Sequence, residues 1–361
     1  MFREMSASEL IAVLGTEAEP VLVDVREPDE VAEWSIPGAL NIPFGDLPGR
    51  VATLPRDRHL VTVCASGSRS TLAARLLAAN GLDVANLTGG MGAWSTVYDT
   101  ATVAVPGARV VQVRRRGQGC LSYLVGSGDE AFVVDPSIDV DLYRQKAAEH
   151  GWRITRVFDT HLHADHLSGA RALAEGTGAS LHLNPADTFE FEFTPLSDGD
   201  RFVLPGGAEL SVAVVHTPGH TAGSVLYRLG EHAVLSGDTL FVEGVGRPDL
   251  ADRVEEFARN LHRSLHQKVL RLPDRVRVLP AHYGNGVAVR PGEPVAATLG
   301  ELRTTLGPLS LDEDRFVEWV VSHVSDRPPN YAEIIKVNMG RTDASGELVR
   351  MLEAGPNRCS A

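Results

Sequence analysis

The chain has 361 residues, 43% hydrophobic and 22% charged, enough apolar material for two cores rather than one. A formal net charge of -13 speaks against a nucleic-acid partner, whose phosphates need a basic surface. Three cysteines, Cys64, Cys120 and Cys359, are too few and too scattered for a disulfide framework and fit a reducing cytoplasm. No apolar run approaches the length of about twenty residues that crosses a bilayer, and no signal-peptide core follows "MFREMSASEL", so a soluble cytoplasmic protein without a membrane partner is expected.

"SASELIAVLG" predicts a helix with Ser6 and Glu9 spaced as a capping box, and "PVLVDVRE" a short buried strand. "HLVTVCASG" reads as a strand and loop, "STLAARLLAANG" as a helix closed by Gly81, and "DVANLTGGMGAW" as a strand running into a glycine turn. That alternation predicts a parallel sheet with covering helices over residues 1–98. "STVYDTATVAVPGA" lacks periodicity and is read as a linker, residues 99–108. From Arg109 to the end, long β-rich stretches separated by helices mark a second, larger α/β domain, 109–361, with a C-terminal extension. Cys120 in "GCLSYLV" is expected to pack in a strand, and Cys359 to lie in a polar tail.

A strand ending at Val63 delivers Cys64 into a loop of small residues, Ala65, Ser66, Gly67 and Ser68, whose backbone N–H groups can point inward. The N-terminal field of the following helix and the charge of Arg69 should both depress the thiol pKa, and the thiolate is the nucleophile. "VLVDVREPDEVAEWSIPGALNIP" followed by "CASGSRS" resembles the rhodanese family of sulfurtransferases. The resemblance implies a rhodanese-like domain in which Cys64 carries a persulfide sulfur, the loop from Ala65 to Arg69 is the anion cradle, and Asp24 and Arg26 belong to the first strand motif. It departs at Trp34-Ser35, where the family usually has Gly-His.

"DTHLHADHLSGA" crowds His161, His163, Asp165 and His166 into one turn after a strand. "VVHTPGHTAGS" adds His216 and His220, "VLSGDTLF" adds Asp238, and "VLPAHYG" adds His282, each at a strand end where loops converge. Imidazole and carboxylate at this density suit a borderline first-row metal. The motifs, in this order, resemble the metallo-β-lactamase superfold and imply an αββα sandwich. "THLHADHLSGA", "GDTLFVEGVGRPDL" and "PAHYGNG" look like the persulfide dioxygenases, which oxidise glutathione persulfide to sulfite with one ferrous ion. By that resemblance His161, His220 and Asp238 hold one Fe(2+) per chain. Arg247 of "GRPD" contacts glutathione, Tyr283 lies on the substrate side, and His163, Asp165, His166 and His282 surround the metal or hold a second one. The implied small-molecule partners are a persulfide, dioxygen, and thiosulfate or sulfite; a homodimer is left open.

The same ligands suit a thioester hydrolase resembling glyoxalase II, with two Zn(2+) ions, so ligand inventory alone does not choose between them. A third possibility is a persulfide sensor reporting through Cys64, which would need neither the metal set nor the intact loop. Dioxygen uptake on adding persulfide separates the first reading from the other two.

Overall fold

The first turn of the chain forms as its spacing predicts. Glu9 N–H donates to the Ser6 hydroxyl at 3.2 Å while Ser6 N–H donates to the Glu9 carboxylate at 2.7 Å, capping the helix Ala7–Val13. The computed structural model describes residues 2–203, 211–249, 253–284, 286–324, 327 and 330–355. Cys359 lies outside the described residues.

β-branched runs build the N-terminal sheet. From edge to edge it orders Arg3–Met5, Val84–Leu87, Leu60–Val63, Val21–Asp24 and Leu40–Asn41, every neighbouring pair parallel. Helices cover both faces, over one core containing Leu10, Val61 and Trp94 and another containing Val23, Leu60 and Leu77. The expected parallel sheet is therefore present.

The segment read as a linker is instead a strand, Tyr98–Val105, paired antiparallel along its whole length with Ala108–Arg115. Ala101, Val103 and Val105 are buried and alternate with exposed Thr102 and Ala104. Small β-branched residues carry this period of two quietly, so the sequence hides an edge strand.

That strand closes a seven-stranded sheet, which continues through Cys120–Ser127, Glu130–Val134, Arg153–Phe158, Ser180–Leu183 and Thr194–Pro195. A six-stranded sheet faces it: Arg201–Val203, Ser211–His216, Val225–Leu229, Ala233–Gly237, Arg277–Pro280 and Ala297–Thr298. Val125, Phe132 and Phe158 of the first meet Val214, Tyr227 and Leu235 of the second in a shared core. The helices Val140–Glu149 and Ala170–Thr177 lie outside one sheet, and Val254–Gln267 and Glu313–His323 outside the other. This is the αββα sandwich. His161, Asp238 and His282 follow the C-terminal ends of Arg153–Phe158, Ala233–Gly237 and Arg277–Pro280, so the sheets aim their loops at one edge.

The two domains meet at the turn after Ala108–Arg115. Trp34, one of the two residues that depart from the family pattern, donates its Nε1–H to the Gly117 carbonyl at 2.8 Å. A Cβ at Gly117 would lie 2.2 Å from the Trp94 carbonyl oxygen, a contact no side chain tolerates. Gly117→Val should therefore lower the thermal unfolding midpoint, with a loss of about 1–3 kcal/mol typical of overpacking. Gly176→Ala, where an added Cβ meets nothing within 4 Å in the helix Ala170–Thr177, should leave it unchanged or raise it. Scanning calorimetry of the two variants checks both outcomes.

Candidate metal centre and thiol loop

Each expected iron ligand has one outer partner that turns its other atom inward. Asp135, a non-glycine residue at φ 52°, accepts from Thr160 N–H at 2.6 Å and from the Thr160 hydroxyl at 3.0 Å. The Thr160 oxygen is in turn 2.9 Å from His161 Nδ1, where it can accept that ring's proton and leave Nε2 bare. His220 Nδ1 donates to the Arg247 carbonyl at 2.9 Å. Asp238 Oδ1 is 2.6 Å from His282 Nδ1, which leaves Oδ2 facing the other way.

The three remaining atoms converge. Asp238 Oδ2 is 3.6 Å from His161 Nε2 and 3.4 Å from His220 Nε2, and all three are buried without a hydrogen-bond partner. Three bare acceptors buried face to face are costly unless a cation sits among them, so the residues fit a metal ion. Burial and the neighbouring His163 push His161 well below the ordinary imidazole pKa, and burial lowers His220. Burial alone would raise the Asp238 carboxyl, but His282 and His161 hold it below the usual carboxylate range. Two neutral imidazoles and a carboxylate are the ligand states a metal needs.

The other candidates form two further groups. Asp165 Oδ2 lies 2.8 Å from His282 Nε2, 3.1 Å from His166 Nδ1 and 3.7 Å from Cys120 Sγ. Here the rings and the thiol gather around one carboxylate oxygen, Asp165 Oδ1 is left without a hydrogen-bond partner, and the four side chains could themselves hold a metal ion. His163 turns its Nε2 toward Asp135 at 3.2 Å and Asp159 at 3.8 Å rather than toward the triad. Burial pushes the Asp159 carboxyl up to about 6. Cys120 does open a strand, but the expectation of simple packing missed its thiol at Asp165.

Residues far along the chain hold this loop. Asn338 accepts from Ser168 N–H at 2.9 Å and donates its amide to the carbonyls of His163 and His166 at 2.9 and 2.8 Å. Glu353 accepts from Leu167 N–H at 2.6 Å and forms a buried ion pair with Arg115. Sequence reasoning missed Asp135, Thr160, Asn338 and Glu353. Thr160 alone had a local signal, as the residue before the first ligand.

In the thiol loop, Cys64 is only 1% exposed, so its sulfur is the floor of the loop and not a projecting group. Gly67, at φ 99°, donates its N–H to Cys64 Sγ at 3.2 Å, and the Ser70 hydroxyl donates at 3.3 Å. Met91 N–H and Gly92 N–H take the carbonyls of Cys64 and Ala65 at 2.8 and 3.1 Å, fixing the loop from behind. Burial opposes the thiolate, but Ser70 and the N–H groups of Ser70, Ser66 and Gly67 outweigh it and lower the Cys64 pKa.

Family models match in the same order as the folds: a rhodanese-like domain over residues 6–96 and the metallo-beta-lactamase superfamily over residues 115–282. The chain is a rhodanese–metallo-β-lactamase fusion. Human mitochondrial persulfide dioxygenase ETHE1 is 28% identical to the fusion over 235 residues, 60% of this chain and 82% of that protein. The crystal structure of ETHE1 from Myxococcus xanthus superposes with a TM-score of 0.57 at 27% identity, covering 64% of the fusion and 99% of that chain. A hydroxyacylglutathione hydrolase from Methylobacillus flagellatus is 34% identical over 160 residues, 44% of this chain and 60% of that one. The fusion is therefore similar to persulfide dioxygenases over nearly the whole of a solved relative, and to the hydrolase over a shorter part.

Three expected contacts stand differently in the fusion. Arg69 is clamped bidentately on Glu30 at 2.7 Å for both bonds, and its hydrogen bond holds the Glu30 carboxyl down at about 2. The loop amides and Ser70 therefore hydrogen-bond the Cys64 sulfur, while Arg69 acts on it only through its charge. Arg247 is fully buried with Nε and Nη2 on the two oxygens of Asp249 at 2.7 and 2.8 Å, so a ligand carboxylate reaches that fork only by displacing Asp249. Tyr283 is 8% exposed and lines the cleft of about 450 Å3 between the domains, with Trp94 and Gln118, rather than the pocket beside His220.

Two measurements follow. Ser70→Ala removes a donor to the thiolate, so the midpoint of the pH–rate profile for iodoacetamide alkylation of Cys64 should move up and alkylation near neutral pH should slow; an unmoved midpoint would remove Ser70 from the cradle. Thr160→Val deletes the acceptor that orients His161 and should weaken metal binding by about 10- to 100-fold in a chelator competition titration, with the fold retained by circular dichroism.

Proposed function

We propose that the fusion oxidises the persulfide of a low-molecular-weight thiol to sulfite at a single ferrous ion, and that Cys64 carries sulfane sulfur to or from the same pool. In balance, RSSH + O2 + H2O gives RSH + SO3(2-) + 2 H+. The observation that carries the reading is the convergence of three bare, buried ligand atoms on one gap. His161 Nε2, His220 Nε2 and Asp238 Oδ2 are bare and converge on one gap, while Cys120, Asp165, His166 and His282 gather around the Asp165 carboxylate in a second group whose ligand types also suit a metal. The second group keeps the two-zinc hydrolase as the alternative, and the longer match to the persulfide dioxygenases favours the mononuclear reading. Similarity to ETHE1 over most of its length supports the same side, and glutathione is the carrier that the resemblance supplies.

Iron held by two imidazoles and a carboxylate would supply open positions at which a persulfide sulfur and dioxygen meet. The protein's own part is orientation and dryness. Thr160 and the Arg247 carbonyl fix the two imidazoles, and His282 fixes the carboxylate. Leu162 and Ala164, placed between the histidines of the motif, line the adjoining pocket with apolar surface that excludes water. In the other domain, Cys64 as thiolate attacks the outer sulfur of thiosulfate. The S–S bond of thiosulfate breaks, sulfite leaves with the electron pair, and Cys64 keeps a persulfide whose charge the Gly67 N–H and Ser70 hydroxyl already face.

The fusion reconstituted anaerobically should bind about one iron per chain, the number one such triad accommodates. His161→Ala, His220→Ala and Asp238→Ala should each lose most of the iron and the dioxygen uptake. His282→Ala and His166→Ala should keep most of the metal and lose about one to two orders of magnitude in turnover. Cys64→Ser should abolish sulfur transfer from thiosulfate and leave uptake with added persulfide intact. Metal analysis with oxygen-electrode assays decides: two firmly bound zinc ions with thioester hydrolysis and no uptake would promote the hydrolase.

A further inference from the structure

The Cys64 loop carries an ion pair that the sulfur-transfer step does not use. Arg69 closes the loop, and its Nη1 and Nη2 donate to the two carboxylate oxygens of Glu30 at 2.7 Å each. Glu30 belongs to a different element, the helix Pro28–Glu33, where its Oε2 also accepts the Glu27 N–H at 3.0 Å. Both side chains of the pair are 34% exposed, and Ala65, Ser66 and Ser68 beside them are exposed, whereas Cys64 is buried beneath. The pair therefore stands on the solvent side of the sulfur.

Arg26 also reaches the Glu30 helix, but it is buried with its guanidinium on both oxygens of Asp24 and on the carbonyls of Glu30 and Trp34. The donors that touch the sulfur itself are uncharged, the Gly67 N–H at 3.2 Å and the Ser70 hydroxyl at 3.3 Å. Arg69 is the cation whose charge reaches Cys64, and Glu30 cancels it. With the sulfur as thiolate, the mouth of the loop thus holds one negative charge in excess before a donor arrives. A dianion meets that excess twice as strongly as a monoanion. Its oxygens also gain the Arg69 fork only by displacing Glu30, because a guanidinium edge already held by a carboxylate cannot give the same bidentate contact to a second anion. A half-exposed ion pair contributes little to stability, yet it discriminates between ligands of equal shape that differ by one charge.

We propose that Glu30 sets the charge of the sulfur donor that Cys64 accepts: by occupying Arg69 it holds back dianions such as thiosulfate and favours donors whose sulfur end carries at most one negative charge, as a persulfide does. The inference rests on the sulfur-transfer reading of Cys64 and names its preferred donor, the same chemical class that the metal domain is read to oxidise.

The test pairs thiosulfate with methanethiosulfonate, which replaces one charged oxygen by a methyl group. In either case the Cys64 thiolate attacks the outer sulfur and the S–S bond breaks. Sulfite or methanesulfinate leaves with the electron pair, and Cys64 keeps the persulfide. Glu30→Gln retains an acceptor for the Glu27 N–H and removes the charge, so in the full-length protein the ratio of kcat/KM for thiosulfate to that for methanethiosulfonate should rise by about tenfold. Adding Arg69→Gln to that variant should bring the ratio back, since the gain acts through the freed fork. A loss of folding or of thiolate character would move both donors together and leave the ratio where it was. Binding is read separately by the protection that sulfate and methanesulfonate give Cys64 against iodoacetamide, followed on the Cys64 peptide by mass spectrometry. In Glu30→Gln, sulfate should protect at about tenfold lower concentration and methanesulfonate at a nearly unchanged one. A ratio that does not rise, or a rise that survives the loss of Arg69, would overturn the inference and leave sulfur transfer by Cys64 standing. Stronger protection by sulfate in Glu30→Gln, with no sulfur transferred from either donor, would uphold the role of Glu30 in anion choice and overturn the sulfur-transfer reading.

Discussion

The carboxylate of Asp238 joins two hydrogen-bond systems with opposite needs. Its Oδ1 is closed by His282, which reaches on to Asp165 and through it to His166 and Cys120. Its Oδ2 faces two bare imidazole nitrogens across a gap whose ligand types fit a cation. A buried carboxylate in such a position is tolerable when one oxygen is satisfied by the protein and the other by a metal. The rest of the catalytic edge serves that division: a strained Asp135 holds Thr160 under His161, and the "GRPD" turn offers a carbonyl to His220.

The two domains place chemistry at the same point of their architecture with opposite electrostatics. In the N-terminal sheet a strand ends at Val63 and the following loop offers N–H and O–H donors, which suit an anionic sulfur. In the sandwich the strand ends offer lone pairs, which suit a cation. The contact between Trp34 and Gly117 sets these halves against each other beside a cleft lined by both. The Trp34-Ser35 departure from the rhodanese pattern therefore has a structural use at the interface, away from the nucleophile.

Much of the site was legible because its ligands come in short runs. "HLHADH" compresses four candidates into six positions, and "CASGSRS" displays nucleophile, small residues and arginine together. What was not legible came from distance. Asn338 holds the metal loop from 170 residues or more away, and Glu353 from 186, and neither has a neighbour in sequence that hints at its partner. The partners of Arg69 and Arg247 were hidden for another reason. Each was expected to offer its charge to a ligand, and each meets a carboxylate of its own chain, Glu30 and Asp249, that no spacing rule foretells. The strand Tyr98–Val105 was hidden by small residues whose alternation carries little hydrophobic contrast.

The sequence by itself determined which chemistry was available: the order of the two domains, the strand ends that present Cys64 and the histidines, and the residue types that can bind a first-row metal. These follow from local periodicity and motif composition, which act over a few residues. Only the tertiary structure decided how the candidates divide, with His161, His220 and Asp238 around one gap, Cys120, His166 and His282 around Asp165, and His163 between Asp135 and Asp159. That division depends on which face of each ring a distant backbone or carboxylate engages. The physical reason is that a side chain's free lone pair is whatever its neighbours leave over, and those neighbours are assembled by the packing of two sheets rather than by adjacency in the chain.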